Sequence, residues 1–383
     1  MKRTTLFLLF LLATSFAQVV DAQTTSVHTT GLILPNKIIT AGEHSLLVCE
    51  TGNFVPNTGR ISLVDRSNGN RQTLVDGLPS GVNDLGGVPT PNGPSGLVLH
   101  GRTLYVSISS GDAVLSAGGP GLELPNPNPS SPLFDSILEM VLPGNYEQMT
   151  DGFVLTVQNQ QTLNEGGTVT LDNSDGQSMT LRLIANLPDF VPEPVEDHPD
   201  NVRASNLYGL EFFKKNLYIV DASLNLLYKV RISDGDHSLF AEFLPIEIPD
   251  GPVVEAVPDN VHRVGNNLLV AMLTGFPFPQ EGAEIRKVSL KNAGQETFIG
   301  ELTSAIDVLK VESDGSYFTL EFSTDFLAGA PGRLRFYSSA NADGVNVVSD
   351  LITPTSMTRD EGTGDIFVTN IFAGTITRIS DLP

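Results

Sequence analysis

Cysteine is nearly absent: Cys49 is the only one in 383 residues. No internal disulfide can form, so stability must come from packing, and Cys49 itself reads as a buried, inert thiol. Basic residues are scarce as well, 22 Lys and Arg against 44 Asp and Glu, for a net charge of −22. A surface this acidic repels phosphate backbones and anionic lipid heads, which argues against nucleic acid as a partner. Beyond the first 22 residues, no apolar run approaches the ~20 residues of a membrane-spanning helix. Catalytic signatures are missing too. There is no Gly-x-Ser-x-Gly elbow and no Walker loop. The turn Asp172–Gly176 fails as a calcium loop, because Leu171 and Arg182 would fall at its first and twelfth positions. His28, His44, His100, His198, His237 and His262 show no metal-ligand spacing. His262, near the start of an apolar strand, is the one candidate acid or base.

What is present begins at the amino terminus. Lys2 and Arg3 precede the apolar run Leu6–Ala13, and Val20 and Ala22 stand at the −3 and −1 positions of a cut before Gln23. This predicts a secretory signal peptide over residues 1–22. Polar Thr14, Ser15 and Gln18 interrupt the run and argue against an anchor. The expectation is a soluble, monomeric mature chain, secreted or periplasmic, spanning residues 23–383.

The mature chain repeats itself. A β-rich triplet recurs as Leu46-Leu47-Val48, Leu104-Tyr105-Val106, Leu217-Tyr218-Ile219, Leu268-Leu269-Val270, Tyr317-Phe318-Thr319 and Ile366-Phe367-Val368. The last four are ~50 residues apart, the period of a propeller blade. A short apolar strand precedes the triplets, entered through Gly96, Gly209, Asn260, Asp307 or Ser356. A third strand with a basic residue near its end follows, as in Leu226–Val230 and Thr375–Ile379, and then a fourth. Asn68-Gly69, Asp234-Gly235 and Asp343-Gly344 suit tight hairpin turns. Thirty-six Gly and 25 Pro fit many short strands joined by turns. Four antiparallel strands per unit predict an all-β fold, a single six-bladed β-propeller. A β-sandwich has no need to repeat one register six times.

Leu104 and Leu217 are separated by two repeat lengths, room for a seventh blade or an insertion. The preferred reading is an insertion in blade two over about residues 143–178, with Ser136–Val141 as its third strand, Met179–Ile184 as its fourth, and an extra hairpin from Val154 to Leu171. Blade six runs out of sequence after three strands. The apolar segment Val27–Leu34 is predicted to supply the missing outer strand and close the ring.

Several segments resemble the ScyD/ScyE family, named for a cyanobacterial pigment gene cluster. They are Val48-Cys49-Glu50-Thr51-Gly52, Ser205–Leu210, Val220-Asp221-Ala222 with Asn225, and above all Leu273-Thr274-Gly275-Phe276-Pro277-Phe278-Pro279. Pro331–Leu334 and Val368-Thr369-Asn370 are also similar. The resemblance covers nearly all of the mature chain and implies an exported, six-bladed, TolB-like or NHL-like propeller without an assigned activity.

Loops entering the inner strands and loops leaving the second strands share one face of a propeller. That face should gather Glu50, Asn206, Tyr208, Asp221, Asn225, Asp259, Asn260, Thr274, Phe276, Phe278, Asp307, Glu321 and Asn370. Their oxygens suit a hard cation such as Ca²⁺. Sugar-lactone hydrolases hold a metal this way, and by fold analogy Glu50, Asn206, Asp221 and Asp307 are the candidate ligands. Blade-edge hydrogen bonds and turn caps are the alternative use for the same side chains. Phe276 and Phe278 either seat an apolar ligand or plug the channel mouth. Two functions remain open. One is a non-catalytic binding or scaffold propeller for a small molecule, glycan or protein at the loop face. The other is a metal-dependent hydrolase or lactonase.

Overall fold

The computed structural model describes residues 23–85, 87–194, 201–249 and 251–383; the expected signal peptide, residues 1–22, and His198 lie outside them. Six sheets follow one another along the chain, each with a core of four antiparallel strands. Their innermost strands are Pro35–Ala41, Pro94–His100, Leu207–Phe213, Pro258–Val264, Ala305–Lys310 and Pro354–Arg359. Each packs against the inner strand of the next blade, and the last against the first, so the sheets form a six-bladed propeller around a central channel.

The apolar triplets are the second strands. They are buried on both faces, which is why they read as continuous hydrophobic runs instead of alternating ones. Alternation survives in where the side chains go. Leu46 and Val48 pack toward blade 6, Leu47 and Cys49 toward blade 2. Likewise Leu217 and Ile219 face blade 2, whereas Tyr218 and Val220 face blade 4. Six apolar seams result, one between each pair of neighbouring blades. Each fully buried aliphatic side chain in them contributes about 1.5–3 kcal/mol of transfer free energy.

Blade 6 takes its outer strand from the amino terminus: Thr24–Thr29 pairs antiparallel with Thr375–Ser380. The closing strand therefore begins three residues upstream of the expected Val27–Leu34 and overlaps it only over Val27–Thr29. Its sequence, Thr-Thr-Ser-Val-His-Thr, is polar and exposed, as an edge requires. The apolar residues that follow do different work. Leu32 is buried in the seam between blades 6 and 1 and donates its N–H to the Gly374 carbonyl at 3.0 Å.

In blade 2, Ser136–Val141 and Ser178–Asn186 are the third and fourth strands, and Thr168–Asp172 adds a fifth. The segment Val154–Leu171 is not the expected hairpin. Phe153–Val154 runs parallel to the outer strand of blade 1, and Val157–Asn164 is an α-helix. A reciprocal cap explains the helix: the Asn159 N–H donates to Thr156 Oγ1 at 3.1 Å, and the Thr156 N–H donates to Asn159 Oδ1 at 3.0 Å. Leu163 and Gln160 are buried, and Gln160 Nε2 donates to the Gly77 carbonyl at 3.0 Å, bracing blade 1. Of the three expected turn pairs, Gly69 and Gly235 adopt φ of 75° and 72°, but Gly344 is not left-handed.

Candidate functional site

Every inner strand starts with a register irregularity. The pairing skips between Pro35 and Ile38, Pro94 and Gly96, Leu207 and Leu210, Pro258 and Val261, Ala305 and Asp307, and Pro354 and Ser356. A bulge bends the strand and re-aims its side chains. Residues at or beside these bulges build a polar girdle around the channel. Lys37 Nζ donates to Asn260 Oδ1 at 2.8 Å and lies 3.5 Å from Asp307 Oδ2 and 3.3 Å from His262 Nε2. Asp307 Oδ1 is 2.7 Å from His262 Nε2, and Oδ2 accepts from Ser356 Oγ and the Met357 N–H, both at 2.9 Å. Asn260 Nδ2 donates to the Ile306 and Thr355 carbonyls, joining three blades. Tyr208 hydroxyl donates to Asn36 Oδ1.

Burial alone would push the Asp307 carboxyl up, but the Lys37 ammonium and His262 outweigh it and hold it well below the usual range. Asp259 has no such relief. Burial and the nearby Asp307 charge raise it well above the ordinary carboxylate value, with only partial compensation from Lys37, and its Oδ1 has no partner. Tyr208 is likewise raised, by burial first and then by Asp259. Cys49 is fully buried, and burial pushes its thiol up to about 12, an inert group.

The structure thus brings Tyr208, Asp259, Asn260 and Asp307 together with Asn36, Lys37 and His262. It does not bring the proposed metal quartet together. Glu50, Asp221, Glu321 and Asn370 occupy the same register position, the end of a second strand, in four different blades. All four find their partners within their own blades. Glu50 is clamped by Arg60 at 3.6 Å and Arg71 at 3.3 Å, with Ser62 also donating to it. Glu321 is held by Arg333 at 2.7 Å and Arg335 at 3.7 Å, although burial still leaves its carboxyl raised. Asp221 accepts from Ser205 Oγ at 2.6 Å and from the Asn206 and Leu224 N–H groups at 3.0 Å. Asn370 reaches Thr377 Oγ1 at 2.9 Å. Asn206 keeps a buried Oδ1 without a partner. With Asp307 committed to an ammonium and Glu50 to two guanidiniums, the quartet does not fit a shared cation. Among the described residues, no group of three or more His, Cys, Asp or Glu is placed to hold one.

The remaining candidates are loop residues. Asn225, at φ 57°, accepts from the Val257 N–H at 2.8 Å and so ties two loops together. Thr274 is buried at φ 71°. Phe278 stacks on Phe326 of blade 5, centroids 4.1 Å apart, and Phe276 stands 76% exposed beside it. The pair belongs to the loop surface.

Lys37 was the residue that sequence reading missed. Gly96, Gly209, Asn260, Asp307 and Ser356 are the third residue of the inner strand, in or just after the bulge, in five blades, and Lys37 takes that place in blade 1. The signal was the recurrent start Pro-polar-small: Pro94-Ser95-Gly96, Pro258-Asp259-Asn260, Pro354-Thr355-Ser356 and, with a cation, Pro35-Asn36-Lys37. Two cavities open on the opposite face from these loops. One of about 320 Å³, lined by Ile38, Thr40, Val98, Leu99, His262 and Leu309, leads to His262 at the girdle's lower edge. The other, about 730 Å³, lies at the seam of blades 6 and 1. Its arginines are already paired, Arg66 with Asp360, Arg71 with Glu50 and Arg378 with Asp365.

No family model matches the sequence, and no curated protein matches it. Solved structures do. A structural-genomics protein of unknown function from Bacteroides thetaiotaomicron aligns at TM-score 0.49 and 11% identity, over 94% of this chain and 76% of that one. A Xanthomonas campestris gluconolactonase, XC5397, aligns at TM-score 0.50 and 10% identity, over 94% and 90%. At this identity the likeness is one of fold: the chain is a six-bladed β-propeller built like that of the gluconolactonase.

Proposed function

We propose that this chain is an exported binding or scaffold propeller of the ScyD/ScyE type, working without turnover through the loops on one face. One observation carries the reading. Lys37, His262 and Asp307 in the channel are held by one another, whereas the loop face displays large apolar side chains to solvent, Phe54, Phe276, Leu327 and Phe372 among them. Apolar side chains gathered on one face of a soluble protein mark an interaction surface. The partner is a protein, glycan or small molecule met outside the cytoplasm. The exported chain should hydrolyse lactones and aryl esters no faster than its Asp307→Asn variant. Turnover that disappears in that variant would overturn the proposal.

A hydrolytic reading has one feature in its favour. His262, with Asp307 at 2.7 Å to orient it, is 30% exposed at the end of the 320 Å³ cavity, where a water could reach it. It stands or falls on the same assay, with His262→Gln as the second variant.

A further inference from the structure

The loop face has a second property besides its apolar side chains. Its loops are residues 30–34, 51–58, 79–93, 109–135, 187–206, 222–225, 243–257, 273–282, 303–304, 322–331, 352–353 and 371–374, the segments that enter inner strands or leave second strands. Among the described residues of these loops, Arg203 is the only Lys or Arg. Carboxylates are plentiful, and Asp84, Glu193, Glu247, Glu255 and Glu281 are exposed. The other basic residues lie on the strands and on the turns of the opposite face, as with Arg66, Arg102, Lys214, Lys215 and Lys291. Basic residues are therefore segregated along the propeller axis, whereas carboxylates such as Glu43, Asp234, Glu312 and Glu361 also stand on the opposite face.

Large exposed apolar side chains follow the same division. Phe54 and Val55 in blade 1, Val88 between blades 1 and 2, Leu244 and Val253 between blades 3 and 4, Phe276 in blade 4, Leu327 in blade 5, Ile352 between blades 5 and 6, and Phe372 in blade 6 are each more than 60% exposed. These blades are consecutive around the ring, and the stack of Phe278 on Phe326 bridges two of them. The turns of the opposite face carry no side chain of this kind among the described residues; Val154 lies along the outer strand of blade 1, beside a helix whose Gln160 reaches Asn57 of the loop face.

We infer that the loop face docks a cationic, amphipathic protein segment, whose apolar side chains rest on the arc Phe54–Phe276–Leu327–Phe372 and whose Lys and Arg meet the surrounding carboxylates. The inference rests on the binding reading above and names the partner's chemistry. Apolar anchors supply the desolvated centre of such a contact, and opposite charge at its rim accelerates encounter and excludes wrong partners. A second copy of the chain fits poorly, because it would set one acidic rim against another. An anionic bilayer is repelled for the same reason.

The test uses the exported chain and three labelled amphipathic peptides of equal length, Leu/Lys, Leu/Gln and Leu/Glu, with binding read by fluorescence anisotropy. The Leu/Lys peptide should bind, and more weakly by at least tenfold when salt rises from about 50 to about 500 mM. Phe276→Ser with Leu327→Ser should weaken it at least tenfold, and so should Glu255→Lys with Glu281→Lys, with melting temperatures unchanged. Equal binding of the Leu/Gln or Leu/Glu peptide, or indifference to the charge reversals, would overturn the cationic partner and leave the binding reading in place. Failure of all three peptides to bind would overturn the docking of a protein segment altogether. Binding of phosphatidylcholine/phosphatidylglycerol vesicles that the same substitutions abolish would replace it with a lipid surface. Turnover lost in Asp307→Asn would instead sink the non-catalytic reading, whatever the peptides do.

Discussion

Lys37 and Asp307, 270 positions apart in the chain, meet at 3.5 Å in the channel with side-chain exposures of 4% and 0%. A buried carboxylate needs a partner, and here the partner is an ammonium delivered by the bulge of another blade. The centre of the channel is thereby neutralised by the protein's own cation.

Removing that cation should be costly. Lys37→Met leaves Asp307 with only His262 and the hydrogen bonds from Ser356 and Met357, and Asp259 with no nearby cation, and the expected loss is about 3–5 kcal/mol in denaturant unfolding. The double variant Lys37→Met with Asp307→Asn should recover a large part of the loss, because the stranded charge is gone. If the double variant is as unstable as the two single losses added, the residues are not coupled.

The closing strand makes a second prediction. Deleting residues 24–29 uncovers the edge of Thr375–Ser380 and breaks the ring. Size-exclusion chromatography should then show aggregation or an expanded chain. A monomer with the original melting temperature would contradict closure by this strand.

Close approach of inner strands governs a third. A Cβ on Gly209 would lie 2.6 Å from the Asp259 carbonyl oxygen and 2.8 Å from the Asn260 Cα, backbone atoms of the next blade. Gly209→Ala should cost about 1–3 kcal/mol through overpacking. Gly300→Ala, where the nearest atom is a side-chain methyl at 3.7 Å, should be nearly neutral by the same thermal-melt comparison.

A fourth concerns pH. Burial raises Asp189 from 3.8 to about 6. The folded chain therefore binds this proton more tightly than the unfolded chain does. Its stabilising share is complete below the unfolded value and is lost as pH rises through about 6. The melting temperature should fall from pH 4 to pH 7, and Asp189→Asn should flatten the slope. An unchanged slope in the variant would remove Asp189 as its source.

Much of the fold was legible because each blade writes the same pattern. The doubly buried second strands appear as apolar triplets, and turn residues mark their limits. The helix Val157–Asn164 was hidden because its mean apolar pattern is weak; the Thr156/Asn159 cap was the signal. The closing strand was displaced because apolarity pointed to Leu32, a seam residue, whereas the exposed edge itself is polar.

Local sequence determined which segments would be strands, since alternation and turn chemistry act over a few residues. It also determined the charge and its scarcity of cations. Only the tertiary structure decided what the acids and amides face. At one register position Glu50, Asp221, Glu321 and Asn370 turn into their own blades, while two or three residues past the start of the inner strands Lys37, Asn260 and Asp307 turn into the channel. A bulge of one or two residues sets that direction, and whether a carboxylate then meets a guanidinium, an ammonium or water depends on side chains hundreds of positions away.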